Sequence, residues 1–524
     1  MTTKKNNKAI SRRELIKGAV WGAGAVGLMA GLGSQKATAG EKLETKEMSS
    51  DAIVIGAGFA GLTAAIRILQ QGSKVIVTEK QKWKPFSNTT RAYGATYCFN
   101  SALHRSKGIA KSSAAHYEDM RKYLPLGDPD LQKAWADNIG DAVDMLIDLG
   151  LKPKIMNMPH NRKGAVVPPK MFFDVVPPAI KAAGGIILDE TRADKILVND
   201  DGMVIGVMVQ GKDGHMYRIK SQKAIIIGSG GFQLNPELVT RYMGPEADKM
   251  IPLLRYGLGG TGDGLIMSMD IGAGTSLGLN TFYGHLVFVN EKGERPKAFH
   301  HSSGGSLKFD VLGVVVNIFG KRFTDESGSS EVIAQEALNQ PESVLPPYGK
   351  AFVVCDQKIY NSRKRDFTSA SKAGAVIAKA DTLKGLADKV KKWGVDGEAM
   401  VNTVKKFNAA VAQGNTNELV PPKSIMMEAG YVYSVPLITK IDTPPFYAIP
   451  SRPAMTFTEG GIKVNPTCEV LNRNGHPIPR LFAGGDCVGG FCNRNYVAGT
   501  GIGKAIVQGY ISGTKAHSLS KMKI

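Results

Sequence analysis

Residues 51–61 read Asp-Ala-Ile-Val-Ile-Gly-Ala-Gly-Phe-Ala-Gly, a short apolar run that ends in a glycine-rich turn. A helix-like run follows at 60–71, and a second apolar run at 74–78 leads into Glu79. The order of strand, turn, helix, second strand and acid is typical of a dinucleotide-binding βαβ unit. An ordinary glycine turn would need neither the second strand nor the acid. We therefore predict a dinucleotide cofactor.

The glycines of this turn have separate tasks. Gly56 permits the tight turn, and Gly58 lets the backbone approach a pyrophosphate that sits on the helix N-terminus. Gly61 lets the helix and strand pack closely. Glu79 is placed to accept a hydrogen bond from an adenosine ribose. Further cofactor contacts are expected beside these positions, from Ala57, Phe59, Ala60 and Lys80.

Later motifs indicate which dinucleotide is bound. They are 87–94 (Ser-Asn-Thr-Thr-Arg-Ala-Tyr-Gly), 224–231 (Ala-Ile-Ile-Ile-Gly-Ser-Gly-Gly), 261–264 (Thr-Gly-Asp-Gly), 481–486 (Leu-Phe-Ala-Gly-Gly-Asp) and 499–503 (Gly-Thr-Gly-Ile-Gly). With them the chain, from about Asp51 to Ser512, resembles the flavoprotein family of fumarate reductases, succinate dehydrogenases and 3-ketosteroid dehydrogenases. The resemblance implies FAD and an α/β fold, in which a Rossmann-like FAD-binding domain of the GR2 type carries an inserted α+β capping domain.

The resemblance also implies how FAD is held. Family members with covalent flavin carry a histidine in the loop where this chain has Asn88, so non-covalent FAD is expected. The helix that 499–503 opens would turn its free N–H groups towards flavin N1 and O2, where charge gathers on reduction. Asp263 and Asp486 would bond the ribityl chain or a nearby backbone group, or would simply cap helices. The expected cofactor residues are Ser87, Asn88, Thr89, Thr90, Gly94, Ala193, Gly230, Gly231, Asp263, Gly485, Asp486, Gly501 and Ile502.

The chain divides into four predicted segments. They are a twin-arginine signal peptide (1–39), a first part of the FAD-binding domain (50–280), a capping domain that encloses substrate (281–450), and a second part of the FAD-binding domain (451–524). Within the first part, alternating residues at 186–220 with turn signals predict a small antiparallel β-meander.

The N-terminus predicts export. Ser-Arg-Arg-Glu-Leu-Ile-Lys at 11–17 is a twin-arginine pattern, followed by an uncharged run at 18–33 and a small-residue cleavage site, Ala-Thr-Ala, at 37–39. The alternative is a membrane anchor, for which the run is short and glycine-rich. A mature protein that is periplasmic or extracytoplasmic, and not integral to the membrane, is expected.

Charge and cysteine content indicate which classes of electron-transfer partner to expect. The formal charge is +20, and removal of the leader's seven Lys/Arg and one Glu would leave +14. No nucleic-acid motif is visible, so the charge suggests an acidic electron-transfer partner or a solvated face.

The five cysteines form no CxxC or CxxCH, which argues against a haem or metal of the chain's own and favours an external cytochrome or quinol-linked donor. Cys487 and Cys492 could pair, but buried free thiols are favoured.

The expected substrate site departs from the fumarate reductase pattern. Aligned by its motifs, this chain has Ser330 where the family has its proton-donating arginine and Tyr496 where it has its carboxylate-clamping arginine. Phe457 replaces one histidine, and His285 matches the other. Serine, tyrosine and phenylalanine cannot clamp a carboxylate as a guanidinium does. Fumarate is therefore expected to be a poor substrate.

These residues suggest chemistry on a C=C bond conjugated to a carbonyl or carboxylate. Tyr496 would donate to the substrate oxygen, Tyr283 would act as acid or base, and His285 would hold substrate or tune Tyr283. Phe457 would line the site, and Arg452 or Arg494 would restore one carboxylate contact, unless both serve in surface ion pairs. The leading expectation is an exported ene-reductase. The alternatives are a 3-ketosteroid-type dehydrogenase working oxidatively and a non-catalytic flavin electron carrier.

Overall fold

A computed structural model describes residues 46–82, 87–158, 162–253, 259–297, 306–307, 309–424 and 435–523. The predicted signal peptide lies outside these residues. The described strands are β1 (Lys46–Ile55), β2 (Val75–Thr78), β3 (Ala95–Thr96), β4 (Lys154–Met158), β5 (Arg162–Val166), β6 (Ile186–Leu188), β7 (Arg192–Val198), β8 (Val204–Gln210), β9 (Met216–Ile227), β10 (Ile251–Pro252), β11 (Phe282–Phe288), β12 (Val314–Val316), β13 (Ala351–Cys355), β14 (Ala378–Ala380), β15 (Phe446–Thr458), β16 (Glu469–Leu471) and β17 (Pro477–Ala483).

The α-helices of the same residues are α1 (Phe59–Gln70), α2 (Asn88–Arg91), α3 (Ala102–Arg105), α4 (Ser113–Tyr123), α5 (Pro129–Asp148), α6 (Pro169–Ala182), α7 (Pro236–Met243), α8 (Asp263–Asp270), α9 (Ser330–Leu338), α10 (Gln357–Ser362), α11 (Lys364–Lys372), α12 (Leu383–Lys391), α13 (Gly397–Gln413) and α14 (Thr500–Ser518). Short 3₁₀ turns lie at Ala247–Lys249, Asp310–Leu312, Thr416–Glu418 and Gly485–Cys487. In the described ranges no helix is long and apolar enough to span a bilayer.

The largest sheet is the predicted nucleotide-binding layer. Its strands run in the order β16-β17-β9-β1-β2-β6, and β17, β9, β1, β2 and β6 are parallel neighbours. Ala52, Ile53 and Val54 of β1 are buried because helices cover both faces of a parallel sheet. Helix α14 packs closely on α1, where a β-carbon on Gly509 would lie 2.4 Å from the carbonyl oxygen of Ala60.

The predicted β-meander is present, with two differences from the expectation. Strands β7, β8 and β9 pair antiparallel in succession, but β6 pairs parallel with β2 and so belongs to the nucleotide-binding layer. The last meander strand and the predicted second nucleotide strand are one continuous strand, β9, which pairs with β1 along its length and, on its other edge, first with β8 and then with β17. Alternation of apolar and polar residues cannot distinguish these pairings, because it reports only which face is buried.

The middle of the chain forms a second sheet with its own core. Strands β10-β15-β13-β12 form its path, and β11 and β14 also pair with β15. A separate hydrophobic cluster is built from residues between Leu286 and Ile449, as an inserted capping domain requires. The predicted boundary at 450/451 falls inside β15, so one strand links the cap to the nucleotide-binding part. A third, antiparallel sheet has the order β3-β5-β4.

Candidate active site

A cavity of about 1370 Å³ opens where the parallel strands end. Residues at the carboxyl ends of β1, β2, β9 and β17 line it: Gly56, Glu79, Ser229 and Asp486. Ligands of open α/β sheets bind at this edge. The volume exceeds the roughly 300–1,000 Å³ of an ordinary ligand pocket. There is room for a dinucleotide and a second molecule.

The glycine turn has the geometry that its motif predicts. Gly56 has a φ of 101°, in the left-handed region, and a β-carbon there would lie 2.4 Å from the carbonyl oxygen of Gly228. A β-carbon on Gly61 would lie 1.9 Å from the carbonyl oxygen of Gly56. The Glu79 carboxylate accepts hydrogen bonds from the backbone N–H groups of Ala57 and Gln81, both at 2.9 Å. These bonds fix the acid at the edge of the cavity.

Several buried polar atoms around the cavity lack a hydrogen-bond partner among the described residues. They belong to four lining residues, Thr78, Asn88, Ser229 and Thr456. Burying an unsatisfied hydroxyl or amide costs about 1–3 kcal/mol, so a protein rarely keeps several around one cavity unless a ligand bonds them. Phosphate, ribityl and flavin heteroatoms supply such partners. The residues present therefore fit FAD, and together with Glu79 and Gly58 they would hold it.

Two aspartates at the cavity have different surroundings. Burial opposes ionisation of Asp263, but a salt bridge of 2.8 Å to Lys80 and further contacts lower its pKa overall. Because Lys80 follows Glu79 directly, Asp263 lies at the end of the cavity that is predicted to hold the ribose. Its described partners are side chains, including Lys80. Burial raises the pKa of Asp486, against a hydrogen bond from Asn88 and the charge of Lys504.

Most of the predicted cofactor residues line the cavity. Those that do are Gly56, Gly58, Phe59, Ala60, Glu79, Lys80, Ser87, Asn88, Thr89, Gly94, Ala193, Gly230, Asp263, Gly485, Asp486, Gly501 and Ile502. Ala57, Gly61, Thr90 and Gly231 are not in its lining. Thr90 bonds back to Ser87 as part of a helix cap, and a β-carbon on Gly231 would lie 2.5 Å from Thr458 Oγ1.

Three aromatic rings form one wall of the cavity. Tyr283 lies 4.1 Å from Tyr496 and 5.0 Å from Phe457 between ring centroids, and Phe457 meets Tyr496 edge-on at 5.6 Å. The rings come from β11, from the end of β15 and from the loop before α14. The fold thus brings together the three aromatic residues that the sequence proposed for the substrate site.

The hydroxyl of Tyr496 is set up as a hydrogen-bond donor. Its oxygen accepts a bond of 3.0 Å from the backbone N–H of Gly501, in the first turn of α14. Burial raises the pKa of this phenol well above its ordinary range, so it stays protonated. The sequence predicted that the N–H groups at this helix start would be free to face the flavin. In the structure the Gly501 N–H instead donates to the Tyr496 hydroxyl, because the loop folds Tyr496 back over the helix start. The helix dipole acts on the phenol oxygen and strengthens its O–H as a donor.

A line of polar side chains runs from Tyr283 into the cap. His285 Nε2 lies 3.2 Å from the Tyr283 hydroxyl, and His285 Nδ1 lies 3.4 Å from Ser330 Oγ. Ser330 Oγ bonds Asp310 Oδ2 at 2.9 Å. Asp310 is fully buried, and this burial raises its pKa to about 8. Ser330, which the sequence motifs predict at the position of the family's proton-donating arginine, thus joins the wall to a buried acid.

A second buried carboxyl, Glu459, follows β15. It is 2% exposed and accepts a hydrogen bond of 2.9 Å from the backbone N–H of Arg494. Burial raises its pKa to about 7, against that bond and one from Thr281. The carboxyl braces the loop that carries Tyr496.

The two arginines proposed as substrate ligands are placed elsewhere. Arg452 forms an ion pair of 3.2 Å with Glu342, and Arg494 forms one with Glu336. Neither belongs to the cavity lining. Of the two roles that the sequence allowed for these arginines, the structure shows the ion pairs and not the substrate contact. Each guanidinium lies next to a carboxylate on another part of the chain.

Sequence reasoning missed several lining residues. Ser229 and Gly228 belong to the glycine-rich end of β9, where the motif itself was a usable signal. Met156, Asn157 and Lys163 come from the third sheet and carry no local signal. The acid at Asp310 stands alone in an apolar stretch, which was the only hint of its position.

All five cysteines are buried and unpaired, as favoured for Cys487 and Cys492.

Comparison with known proteins places the chain in a family. The family profile described as FAD binding domain matches residues 51–502. The chain is 26% identical over 523 residues to NADH:fumarate oxidoreductase of Klebsiella pneumoniae (strain 342), which covers 97% of this chain and 51% of that protein. The chain thus spans about half the length of this relative. It is 27% identical over 484 residues to a fumarate reductase (cytochrome) of Shewanella frigidimarina, covering 90% of this chain and 77% of the relative.

Solved structures confirm the expected fold. The 3-ketosteroid delta1-dehydrogenase from Sterolibacterium denitrificans aligns with a TM-score of 0.71 at 17% identity, over 90% of this chain and 99% of that one. At this identity the likeness concerns the fold alone. Taken with the family match and the strand-end cavity, it confirms the predicted Rossmann-like architecture with a cap. The chain belongs to the FAD binding domain family, that of the FAD-dependent fumarate reductase and succinate dehydrogenase flavoproteins.

Proposed function

We propose that this protein is an exported, FAD-dependent ene-reductase acting on a C=C bond conjugated to a carbonyl or carboxylate, with fumarate a poor substrate. The observation that carries the proposal is the Tyr496 hydroxyl. Its oxygen accepts a hydrogen bond from the Gly501 N–H, burial raises its pKa, and Tyr496 lines the cavity together with Tyr283 and Phe457. A neutral donor in an aromatic wall suits a planar, conjugated substrate better than a dianion.

Each residue around the proposed substrate has its own role in the reaction. Tyr496 donates to the carbonyl oxygen, where negative charge develops as the C=C bond is reduced. Phe457 and the Tyr283 ring hold the conjugated system flat. Tyr283 delivers the proton to the carbon next to the carbonyl. When bound, FAD supplies the hydride for the other carbon.

The cofactor and its electron source are part of the same proposal. FAD is held without a covalent bond, since Asn88 occupies the loop position where family members with covalent flavin have histidine. Electrons come from an external cytochrome or quinol-linked donor, and the basic charge balance favours an acidic protein partner. The twin-arginine pattern at 11–17 supports a periplasmic or extracytoplasmic site of action.

The oxidative alternative has one observation in its favour. The contact between Tyr283 and His285 would also help Tyr283 to accept a proton, which a 3-ketosteroid-type dehydrogenase requires. A non-catalytic electron carrier is disfavoured, because it would need no aromatic-walled space beyond the cofactor.

An anaerobic screen tests the proposal. Enzyme and a reduced viologen are offered fumarate, monocarboxylic enoates and cyclic enones, and viologen reoxidation is followed. We expect at least one enone or monoacid to be reduced much faster than fumarate. The reverse assay offers saturated ketones with an artificial electron acceptor. Fumarate reduction as fast as that of the best neutral compound would contradict the proposal, and faster reaction in the reverse assay would favour the dehydrogenase.

A further inference from the structure

A continuous line of hydrogen-bonding side chains connects the cavity wall to a carboxyl that no solvent reaches. The line begins at Tyr283 in the cavity, passes His285 and Ser330, and ends at Asp310. Asp310 is 0% exposed and His285 is 2% exposed. Every member can both give and receive a proton. Within the described part of the chain, the hydrogen-bonded line from this carboxyl ends at the Tyr283 hydroxyl, beside His285 in the cavity lining.

We propose that this line is a proton relay, in which a proton held on Asp310 reloads Tyr283 through the two side chains between them. The inference rests on the proposed function, since it names the source of the proton used there. Asp310 and Ser330 are relay residues that act through Tyr283 and lie outside the cavity lining, whereas His285, the link between Ser330 and Tyr283, lines the cavity beside Tyr283.

The proton transfer balances in both atoms and charge. The Tyr283 O–H bond breaks as a C–H bond forms on substrate, and His285 Nε2–H gives its proton to the tyrosine oxygen. Ser330 O–H gives its proton to His285 Nδ1, and the carboxyl proton of Asp310 restores the serine. One proton leaves Asp310 and one arrives on substrate, where the electron pair of the carbon next to the carbonyl forms the new C–H bond. When Asp310 is ionised its hydrogen bond reverses, and Ser330 donates to it.

The groups around Asp310 are consistent with a proton store. From α9, Ser330 bonds the carboxyl and Glu331 lies near enough to raise its pKa, while the backbone N–H of Val311 donates to it at 2.9 Å. From the segment after α13, buried Lys423 donates to the carbonyl of Val311 at 3.0 Å. Burial lowers the pKa of Lys423 to about 8, against the charges of nearby carboxyls that include Asp310.

Glu331 is the competing proton source. Its Oε1 lies 3.9 Å from His285 Nδ1, beyond hydrogen-bond distance, whereas the chain to Asp310 is bonded throughout. Ser327 provides a matched control. It is a fully buried serine three residues before Ser330, and its hydroxyl has no partner among the described residues. Removing the Ser327 hydroxyl therefore breaks none of the hydrogen bonds of the relay.

The first test uses turnover of the best substrate from the viologen screen. Asp310→Asn and Ser330→Ala should each lower turnover by about 10²-fold, within the usual contribution of a positioned proton donor. Wild-type turnover should decline as pH rises through about 8, where Asp310 loses its proton, and this limb should vanish in Asp310→Asn. Ser327→Ala should keep both rate and profile. The relay would be overturned if Asp310→Asn kept the decline of turnover above about pH 8, or if that decline disappeared in Glu331→Gln instead.

The second test needs no substrate. Infrared difference spectra of the holoenzyme should show a protonated carboxyl band at neutral pH that is missing in Asp310→Asn, and Tyr283→Phe should shift it because the line is broken at its outlet. Ser327→Ala should leave the band in place. An absent or unshifted band refutes the relay whatever the substrate screen finds. A band that behaves as expected, in an enzyme that reduces no enone or enoate, would show that the proposed function fails while the proton line stands.

Discussion

Tyr496 shows how one side chain can acquire a task from its surroundings. In water a phenol is a modest hydrogen-bond donor with a pKa of about 10. Here its oxygen accepts from the Gly501 N–H and its ionisation is suppressed by burial. In the proposed role, the hydroxyl would then donate its hydrogen to an acceptor in the cavity. Such an acceptor gains most when its own negative charge is growing.

Tyr496→Phe should lower turnover by about 10²–10³-fold, the usual effect of losing one donor to a developing oxyanion. Flavin content should not change, because the ring contacts with Tyr283 and Phe457 survive. Turnover and flavin absorbance per protein provide the measurement. Tyr447→Phe is the control, since that hydroxyl bonds Gln357 in the cap core, away from the cavity. Near-normal turnover of a fully loaded Tyr496→Phe enzyme would make the residue structural.

At the scale of elements, the β1–α1 turn combines two kinds of glycine. Gly61 is needed for packing, because a β-carbon there would overlap the carbonyl oxygen of Gly56 at 1.9 Å. Gly58 is different. Its β-carbon would meet only Thr89 Oγ1, at 3.1 Å, and would otherwise project where the turn lines the cavity. Packing and cofactor binding can therefore be separated by mutation.

Gly58→Ala should weaken FAD binding while the apoprotein keeps its thermal stability, because the added methyl group obstructs the approach to the pyrophosphate. Gly61→Ala should lower the thermal stability of the apoprotein itself, because helix and strand must move apart. Thermal unfolding of the apoproteins and flavin titration distinguish the two effects. If both variants lose apoprotein stability equally, Gly58 belongs to the packing of the turn as well.

At the scale of the whole molecule, buried carboxyls make stability depend on pH. The pKa values of Asp310 and Glu459 rise to about 8 and about 7 in the folded protein, from ordinary values of 3.8 and 4.5. The folded protein therefore holds protons that the unfolded chain has released between those values. The stability that these groups contribute is complete below about pH 4 and is lost as pH rises to about 8.

Replacing both carboxyls, as Asp310→Asn with Glu459→Gln, should flatten this dependence. We expect the thermal midpoint of the wild type to fall more than that of the double variant between about pH 5 and 8. Lys423, with a pKa lowered to about 8 by burial, acts in the opposite direction and only above that window. Parallel curves for the two proteins would show that these carboxyls are ionised in the fold at neutral pH.

The holoenzyme should release its flavin on acid precipitation. Unfolding removes the sheet-end cavity that holds FAD, and Asn88 offers no ring nitrogen for the covalent bond that histidine makes in some family members. Absorbance of the supernatant and pellet gives the result. Yellow colour that stays with the pellet would show a covalent link and refute the proposed mode of binding.

The sequence by itself determined the nucleotide-binding half of this protein. The strand, the glycine turn and the acid at Glu79 are adjacent in the chain, and their backbone conformations are local properties of those residues. Gly56 has the positive φ that its position in the motif demands, and most of the cofactor residues named from motifs line the cavity. Motif positions also gave the aromatic wall of Tyr283, Phe457 and Tyr496.

Only the tertiary structure decided the polar network behind that wall. His285, Asp310 and Ser330 lie 20 to 45 residues apart, and they meet because β11, a short 3₁₀ turn and α9 pack together. The same packing gave Arg452 and Arg494 carboxylate partners outside the cavity and carried β15 across the predicted domain boundary. Side-chain partners and buried pKa values depend on which elements approach one another, and a local pattern of residues does not contain that information.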